Sequence, residues 1–314
     1  MGARILFLDS NHPSLIDDLR KNGYDCEEDY ESPKTEIEKK LSDYDAVVIR
    51  SRFKIDRQFI DAGKKLKCIA RAGAGMENID VEYAEGKNIR CVHAPEGNRD
   101  AVGEQAIGML LALMNNLCRA DHEVRNGKWI REGNRGYELQ GKTVGIIGYG
   151  NMGSAFAQRL RGFDVRILAY DKYKRDFGND FVTESSLHEI FDNADVLSLH
   201  IPLTAETEYM VNDGFLDQFR KNIWLINTSR GKIVKTDDLV KNLEDGTVRG
   251  ACLDVLEYES VSFEKMETSK FPEAFHYLIH SDKVILSPHI AGWTFESHAK
   301  IAKVLVEKIS AVLK

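Results

Sequence analysis

The stretch VGIIGYGNMG, residues 144 to 153, joins a short apolar run to three glycines in GxGxxG spacing. The apolar run is typical of a buried strand, and the segment SAFAQRLRGFD that follows it has the pattern of a helix. Gly148, Gly150 and Gly153 would permit a tight turn between the two elements. Alone the pattern is weak, because many strand-to-helix turns use glycine.

The next strand makes the prediction specific. VRILAYD ends in Asp171, about twenty residues after the glycines, where dinucleotide-binding folds place a carboxylate for the ribose hydroxyls. The helix N-terminus, with Asn151 and Met152, would offer partial positive charge to a pyrophosphate. Asp171 would repel the 2′-phosphate of NADP, so the predicted cofactor is NAD. Three basic residues nearby weaken that preference: Lys172, Lys174 and Arg175.

Short apolar runs alternate with amphipathic segments along the chain. The first hundred residues contain RILFLD, AVVIRS, KCIARAG and IRCVHAP, and the chain from residue 142 contains KTVGIIG, VRILAYD, DVLSLHI, IWLINT, GACLDV and KVILSP. Strands separated by helices pair in parallel with crossovers, so we predict an α/β fold with two doubly wound parallel sheets. The six later runs match the strand number of a Rossmann sheet.

Two helical segments bear on domain organisation. A continuous helix is predicted from Asp100, as its N-cap, to about Val124, and it would link the two domains. A final amphipathic helix, Phe295 to Leu313, has no place in the second sheet and is expected to return to the first domain.

Composition narrows the class of protein. At 314 residues and 43% hydrophobic, the chain can form two cores, and its net charge of −7 shows no patch suited to nucleic acid or an acidic membrane. The five cysteines are scattered without CxxC pairs, which predicts buried thiols and no metal site. Met1 leads into an apolar run without signal-peptide features, so we expect a cytoplasmic protein.

Charged residues follow three of the later strands. Arg230 follows LINTS, Glu257 and Glu259 follow CLDV, and His289 follows VILSP. Each alone fits a surface or turn residue. Together they supply what reduction of a 2-oxo acid requires: a guanidinium that holds the carboxylate and polarises the carbonyl, and an imidazole, oriented by a carboxylate, that delivers a proton.

At these residues the sequence resembles the D-isomer-specific 2-hydroxyacid dehydrogenases. The resemblance rests on ordered blocks that include RAGAGMENID, AVGEQAI, VRNGKW, HIPLTAET, LINTSRGKIV, GACLDV and SPHIAGWT. It implies a Rossmann cofactor domain, residues 98–289, inserted into a flavodoxin-like substrate domain made of residues 1–97 and 290–314. It also implies a small 2-hydroxy or 2-oxo acid as substrate and a homodimer built on the helix near Asp100 to Val124.

The resemblance implies roles for individual residues. Arg230, Glu259 and His289 would be catalytic, with Glu257 as the alternative carboxylate, because Ser260 stands where many relatives have a proline. The backbone of Gly73, Ala74 and Gly75 would hold the substrate carboxylate. Four residues are predicted to line the cofactor: His200, Pro202, Thr228 and Asp254.

The substrate itself stays open at this point. Arg50 and Arg52, in VVIRSRFK, would bind a phosphate or lie on the surface, and RSR resembles the phosphoglycerate dehydrogenase branch. We therefore predict 3-phosphoglycerate, which would place the enzyme in serine biosynthesis, with glyoxylate or hydroxypyruvate reduction as the alternative. A different class is also kept: the family contains an NAD-sensing transcriptional corepressor.

Overall fold

The computed structural model describes residues 2–259 and 272–314, so Ser260 lies outside the described residues. The chain forms two compact units, residues 1–99 with 292–314 and residues 100–291. The strands of the described residues are β1 Arg4–Phe7, β2 Asp25–Glu28, β3 Ala46–Ile49, β4 Cys68–Arg71, β5 Arg90–His93, β6 Thr143–Ile147, β7 Arg166–Tyr170, β8 Val182–Glu184, β9 Val196–Leu199, β10 Ile223–Asn227, β11 Val248–Leu253 and β12 Val284–Leu286. The helices of the described residues are α1 Pro13–Lys21, α2 Lys34–Lys40, α3 Arg57–Ala62, α4 Val81–Gly86, α5 Pro95–Met114, α6 Leu117–Arg125, α7 Asn151–Leu160, α8 Leu187–Asn193, α9 Asp213–Leu216, α10 Thr236–Asp245, α11 Glu273–His280 and α12 Phe295–Leu313.

The first unit is built on a parallel sheet in the order β2-β1-β3-β4-β5. This is the flavodoxin-like strand order, in which the direction of winding reverses between β1 and β3. Ile5 and Phe7 pack with α1 and α12 on one face, and Leu6 packs with Ile37 and Phe59 on the other. Because helices cover both faces, consecutive strand residues are buried, which explains the unbroken apolar runs in the sequence.

The second unit is built on a parallel sheet in the order β12-β11-β10-β9-β6-β7-β8. The winding reverses between β6 and β9, so the carboxyl ends of these strands form the edge at which such sheets bind ligands. Ile146 packs with Phe156 on one face, and Ile147 packs with Leu197 and Leu225 on the other. The two apolar layers place the core on both sides of this sheet.

Two strands were not predicted by the sequence patterns. β2, with the sequence DCEE, and β8, with the sequence VTE, each lie at an edge of their sheet. An edge strand is short and often polar, because one of its sides is not paired. Neither strand therefore produces an apolar run that marks it in the sequence.

The predicted helix from Asp100 to Val124 is wrong in its bounds and its continuity. α5 begins at Pro95, a residue suited to a first helical turn, and Asp100 lies inside it, 2.9 Å from the guanidinium of Arg159. Asn116 has a left-handed backbone conformation, with φ of 54°, and separates α5 from α6. The boundary between the two units falls within α5.

The predicted fold class, two doubly wound parallel sheets with a Rossmann fold, is confirmed. The cysteine prediction is only partly right: Cys26, Cys68 and Cys252 are buried, whereas Cys91 is half-buried and Cys118 is exposed. Among the described residues, no helix combines the length and the apolar character needed to cross a membrane.

Candidate active site

The glycine-rich turn between β6 and α7 has the shape a dinucleotide requires. Gly148 has φ of 92°, and a Cβ there would lie 2.3 Å from the carbonyl oxygen of His200. A Cβ on Gly153 would lie 2.0 Å from the carbonyl oxygen of Gly148, so this glycine permits close packing of α7 on the turn. Apart from its chain neighbours, no atom of the described residues lies within 4 Å of a Cβ built on Gly150, so the backbone there is open to a phosphate.

The first residues of α7 are Asn151, which is exposed, and Met152, which is half-buried. The N–H groups of the first helical turn have no acceptor within the helix, and the helix dipole favours negative charge at this end. The turn and helix together fit the pyrophosphate of a dinucleotide.

Asp171 lies at the end of β7, beside the glycine turn. Its carboxylate accepts hydrogen bonds from the backbone N–H groups of Tyr149, at 2.8 Å, Tyr173, at 2.9 Å, and Lys174, at 3.0 Å. Burial opposes ionisation of this carboxyl, but the three amides outweigh it and hold its pKa below the usual range. Asp171 therefore carries a fixed negative charge at the position predicted to meet the adenosine ribose.

The basic residues near Asp171 bind other protein groups. Lys174 donates to the carbonyl oxygen of Tyr149 at 3.0 Å, Arg175 donates to the carbonyl oxygen of Asp171 at 2.8 Å, and Lys172 pairs with Glu206. Because Lys172, Lys174 and Arg175 already have these partners, the argument that they would attract the 2′-phosphate of NADP is weaker than the sequence alone suggested.

Two predicted cofactor residues hold buried polar atoms that have no hydrogen-bond partner within residues 2–259 and 272–314. They are Thr228 Oγ1, after β10, and His200 Nδ1, after β9. The other ring nitrogen of His200 lies 2.8 Å from Ser198 Oγ, and burial lowers the pKa of His200 to about 3. Unpaired buried polar atoms beside an open glycine turn fit a site that receives polar groups from a cofactor. Pro202 follows His200 on the same segment.

Asp254, after β11, was predicted to contact the cofactor, but the structure buries it completely. Its carboxylate accepts from Gln105 Nε2 at 2.9 Å, Ser287 Oγ at 2.6 Å, Ile290 N at 2.9 Å and Ala291 N at 2.8 Å. The Asp254 carbonyl oxygen also accepts from the backbone N–H of His289, at 2.8 Å. Asp254 therefore fixes the turn that carries His289, and its contact with a cofactor stays a prediction.

His289 and Glu259 form a direct pair. His289 Nδ1 lies 2.7 Å from Glu259 Oε2, and the other carboxylate oxygen, Oε1, accepts the backbone N–H of Leu256 at 2.5 Å. Both side chains are largely buried, with 20% and 15% of their surfaces exposed. An ionised carboxylate can only accept, so Nδ1 of His289 carries the proton of this contact.

The alternative carboxylate, Glu257, has different partners. Its oxygens accept from the hydroxyl of Tyr209 at 2.9 Å and from the backbone N–H of Thr236 at 3.1 Å. A single residue separates the two glutamates, and of their contacts within residues 2–259 and 272–314 it is that of Glu259 that reaches the imidazole. The structure therefore selects Glu259 as the partner of His289.

Arg230 lies at the end of β10, which neighbours β11 in the sheet. A Cβ on the next residue, Gly231, would lie 2.0 Å from the carbonyl oxygen of Leu256, so glycine is needed for this close approach. Leu256 in turn donates to Glu259. The loops that carry Arg230 and Glu259 are thus in backbone contact, and the guanidinium also donates to the carbonyl oxygen of Ser229 at 2.6 Å.

The turn after β4 in the first unit contains Gly73, Ala74 and Gly75. The carbonyl oxygen of Gly73 accepts from the backbone N–H of Ala94 at 2.8 Å, and that of Ala74 accepts from His93 Nδ1. In the described part of the chain, no protein acceptor is found for the N–H of Ala74 or Gly75. Successive N–H groups of this kind form a concave site for an anion.

Arg50 and Arg52, after β3 in the first unit, have different surroundings. The Arg52 guanidinium donates to the carbonyl oxygens of Leu8 at 3.1 Å, Asp29 at 2.8 Å and Ser32 at 2.6 Å. The Arg50 guanidinium lies over the ring of Trp293, 4.7 Å from its centroid. Arg52 is thus used to hold the fold, and Arg50 is the better placed of the two to bind a substrate.

Comparison with known proteins identifies the class. The family model described as "D-isomer specific 2-hydroxyacid dehydrogenase, NAD binding domain" matches residues 107–291. A glyoxylate reductase of Thermofilum pendens is 36% identical over 293 residues, which cover 91% of this chain and 83% of that protein. A D-3-phosphoglycerate dehydrogenase of Archaeoglobus fulgidus is 33% identical over 99% of this chain and 57% of its own length.

Solved structures agree with this assignment. The D-lactate dehydrogenase of Aquifex aeolicus, determined with NAD and lactic acid, superposes with a TM-score of 0.81 and 28% identity over 98% of this chain and 94% of its own. The chain belongs to the D-isomer-specific 2-hydroxyacid dehydrogenases, a family of NAD-dependent oxidoreductases. The predicted cofactor, NAD, is confirmed.

Sequence reasoning did not identify the residues that support the site. Gln105, Ser287 and the backbone of Leu256 hold Asp254 and Glu259, and His93 holds the turn after β4. Ser287 follows a predicted strand directly and His93 lies within the predicted run IRCVHAP, and these positions near strand ends were the one signal in the sequence. Gln105 lies within a helix, where nothing in the pattern distinguishes it.

Proposed function

We propose that the chain interconverts a small D-2-hydroxy acid and the corresponding 2-oxo acid, with Arg230, Glu259 and His289 as its catalytic residues. The observation that carries the proposal is the buried contact of 2.7 Å between His289 and Glu259. The backbone contact between the loops of Arg230 and Glu259 supports it, because it brings a guanidinium to the same edge of the sheet.

NADH, when bound at the glycine turn and Asp171, would supply the hydride for reduction of a 2-oxo acid. Glu259 accepts from Nδ1 and orients the ring, so Nε2 of His289 gives a proton to the carbonyl oxygen of the 2-oxo acid and takes one back when the hydroxy acid is oxidised. Arg230 provides a fixed positive charge that polarises the same carbonyl. The N–H groups of Ala74 and Gly75 bind the substrate carboxylate.

The contacts of Arg52 favour an unphosphorylated substrate such as glyoxylate or hydroxypyruvate. Its guanidinium donates to three carbonyl oxygens, and turning it toward a phosphate would leave these acceptors without a donor. The glyoxylate reductase relative agrees with this choice, whereas the D-3-phosphoglycerate dehydrogenase relative agrees with the second candidate. Arg50 keeps 3-phosphoglycerate as the second candidate, since its guanidinium lies over the ring of Trp293 and the residue remains half-exposed.

NADH oxidation with hydroxypyruvate and with its 3-phosphate tests the proposal, because the two acids differ only by the phosphate. We expect turnover of both glyoxylate and hydroxypyruvate, with a higher kcat/KM for hydroxypyruvate than for its phosphate. A preference of tenfold or more for the phosphate would favour the second candidate. Tight NADH binding without turnover of any 2-oxo acid would instead favour an NAD-sensing binding protein.

We also propose a homodimer built around α6 and the segment that follows it. Apolar side chains are exposed there: Leu117 is 55%, Val124 50%, Trp129 80% and Ile130 46% exposed. Exposed apolar patches of this kind mark interaction surfaces. The cytoplasm remains the proposed compartment, which the buried free thiols support.

A further inference from the structure

We infer that His93 is a positioning residue for substrate binding, which acts by holding the turn of Gly73, Ala74 and Gly75. This inference rests on the proposed function, since it concerns the same carboxylate site. His93 is the last residue of β5 and lies beside β4, whose end leads into the turn. Its ring nitrogen Nδ1 is in hydrogen-bond contact with the carbonyl oxygen of Ala74.

The contact fixes both a tautomer and a peptide plane. A carbonyl oxygen can only accept, so Nδ1 of His93 carries a proton and donates it. In a planar trans peptide the C=O and the following N–H point in opposite directions, so holding the Ala74 carbonyl on the β5 side turns the N–H of Gly75 away from β5. The bond from Ala94 N to the Gly73 carbonyl oxygen, 2.8 Å long, orients the N–H of Ala74 in the same way.

The two contacts therefore prepare two adjacent N–H groups for an anion. One comes from the backbone and is independent of residue type, whereas the other depends on the side chain of His93. A substrate carboxylate keeps its charge throughout the reaction, so its contacts stabilise substrate and transition state alike. Loss of the His93 contact should raise KM for the 2-oxo acid and leave kcat nearly unchanged.

The main chain of His93 has a separate anchor. Lys308, on α12, donates to the carbonyl oxygen of His93 at 2.8 Å and to the carboxylate of Glu96 at 2.8 and 2.9 Å. Burial raises the pKa of Glu96, but the bond and charge of Lys308, a backbone hydrogen bond and the charge of His93 together hold that pKa below the usual range. Lys308→Met removes this anchor without touching the ring contact, and is a matched control.

The test compares His93→Ala, His93→Asn and Lys308→Met by steady-state kinetics with NADH and hydroxypyruvate. His93→Ala removes the donor and should raise KM for the acid about tenfold, while kcat changes less than about threefold and the Kd for NADH stays the same. His93→Asn should restore KM to within about threefold of wild type, because its amide nitrogen is bonded to Cγ as Nδ1 is in histidine. Lys308→Met should leave KM near the wild-type value.

The outcomes separate this inference from the proposed function. If the wild type oxidises NADH with 2-oxo acids but His93→Ala keeps its KM, the inference is wrong. An equal rise in KM for Lys308→Met and His93→Ala, or no recovery in His93→Asn, would also overturn it, because the effect would then come from general disturbance of β5. Absence of turnover in the wild type would overturn both. Thermal unfolding identifies a variant that does not fold; if His93→Ala fails, His93→Phe, which keeps a ring but has no donor, takes its place with the same rise in KM expected and the same unchanged KM overturning the inference.

Discussion

The change of Glu259 to glutamine is the most direct test of the active site. The carboxylate accepts from two donors at once: His289 Nδ1 at 2.7 Å and the backbone N–H of Leu256 at 2.5 Å. A glutamine side chain has one oxygen and one NH2 group, so it can accept from only one of these donors. Whichever arrangement forms, either Leu256 loses its acceptor or the imidazole faces an NH2 group and changes its tautomer.

The structure sets the size of the effect. A hydrogen bond to a charged group contributes about 1.5–3 kcal/mol, and the imidazolium also loses the adjacent negative charge. Since about 1.4 kcal/mol corresponds to a factor of ten in rate, kcat for 2-oxo acid reduction should fall roughly 10- to 150-fold in Glu259→Gln. His289→Asn removes the proposed proton donor, so its kcat should fall about 100- to 10,000-fold.

Glu257→Gln is the matched control, because it removes the same charge two residues away. Its partners are Tyr209 and Thr236, not His289, so kcat should stay within about twofold of wild type. The assay measures kcat at saturating NADH and hydroxypyruvate, the Kd for NADH by fluorescence, and Tm for each variant. NADH affinity should be retained in all three, since the glycine turn and Asp171 are untouched.

Two results would refute this reasoning. Glu259→Gln with kcat within twofold of wild type would show that the pair seen in the structure does not contribute to turnover. An equal loss in Glu257→Gln would show that the loop, and not the carboxylate on His289, is what matters.

Four further outcomes follow from the structure. The fixed charge of Asp171 should make kcat/KM for NADH at least about tenfold higher than for NADPH, because repulsion of the 2′-phosphate costs about 1.4 kcal/mol. Asp171→Asn should reduce that ratio. Equal use of NADH and NADPH by the wild type would contradict the role given to Asp171. Arg50→Ala should raise KM for phosphorylated acids alone, as steady-state kinetics would measure. Arg52→Ala should instead lower the free energy of unfolding by about 1–3 kcal/mol, measured by urea unfolding, and should affect phosphorylated and unphosphorylated acids alike. The pKa of His200 is about 3 in the folded state and 6.5 in the unfolded state, so its contribution to stability is complete above pH 6.5 and is lost as pH falls. Between pH 6.5 and pH 5 the free energy of unfolding should therefore fall by up to about 2 kcal/mol more in the wild type than in His200→Asn. Chemical unfolding at both pH values measures this difference, and equal losses would contradict the low pKa. Trp129→Asp should halve the mass measured by sedimentation if the exposed apolar segment forms the dimer, and an unchanged mass would place the interface elsewhere.

Most of the fold was predictable because its signals are local. A parallel strand covered on both faces needs a run of apolar residues, and Ala46–Ile49 and Ile223–Asn227 both show it. The edge strands β2 and β8 do not need a run of apolar residues, so the sequence patterns did not predict them. The break at Asn116 was missed as well, because a single residue in the left-handed conformation leaves the helical pattern on either side intact.

The candidate site was predictable only as far as the strand ends that carry its residues. In a parallel sheet the carboxyl ends of all strands meet at one edge, so strand-end position alone groups Arg230, the two glutamates and His289. Their pairing could not be predicted, because Glu257 and Glu259 are two residues apart on one loop and both are acidic. The direction in which each side chain points depends on the path of that loop, which the contact of Gly231 with Leu256 helps to define.

By itself, the sequence determined the class of fold and the dinucleotide turn and indicated the residues of the proposed site, because periodicity, glycine spacing and strand-end position are properties of neighbouring residues. The tertiary structure alone decided which carboxylate meets His289, that Arg52 holds three carbonyl groups, and that His93 reaches the turn after β4. These outcomes depend on contacts between residues 19 to 44 positions apart, and such contacts are set by how the chain packs and not by local pattern.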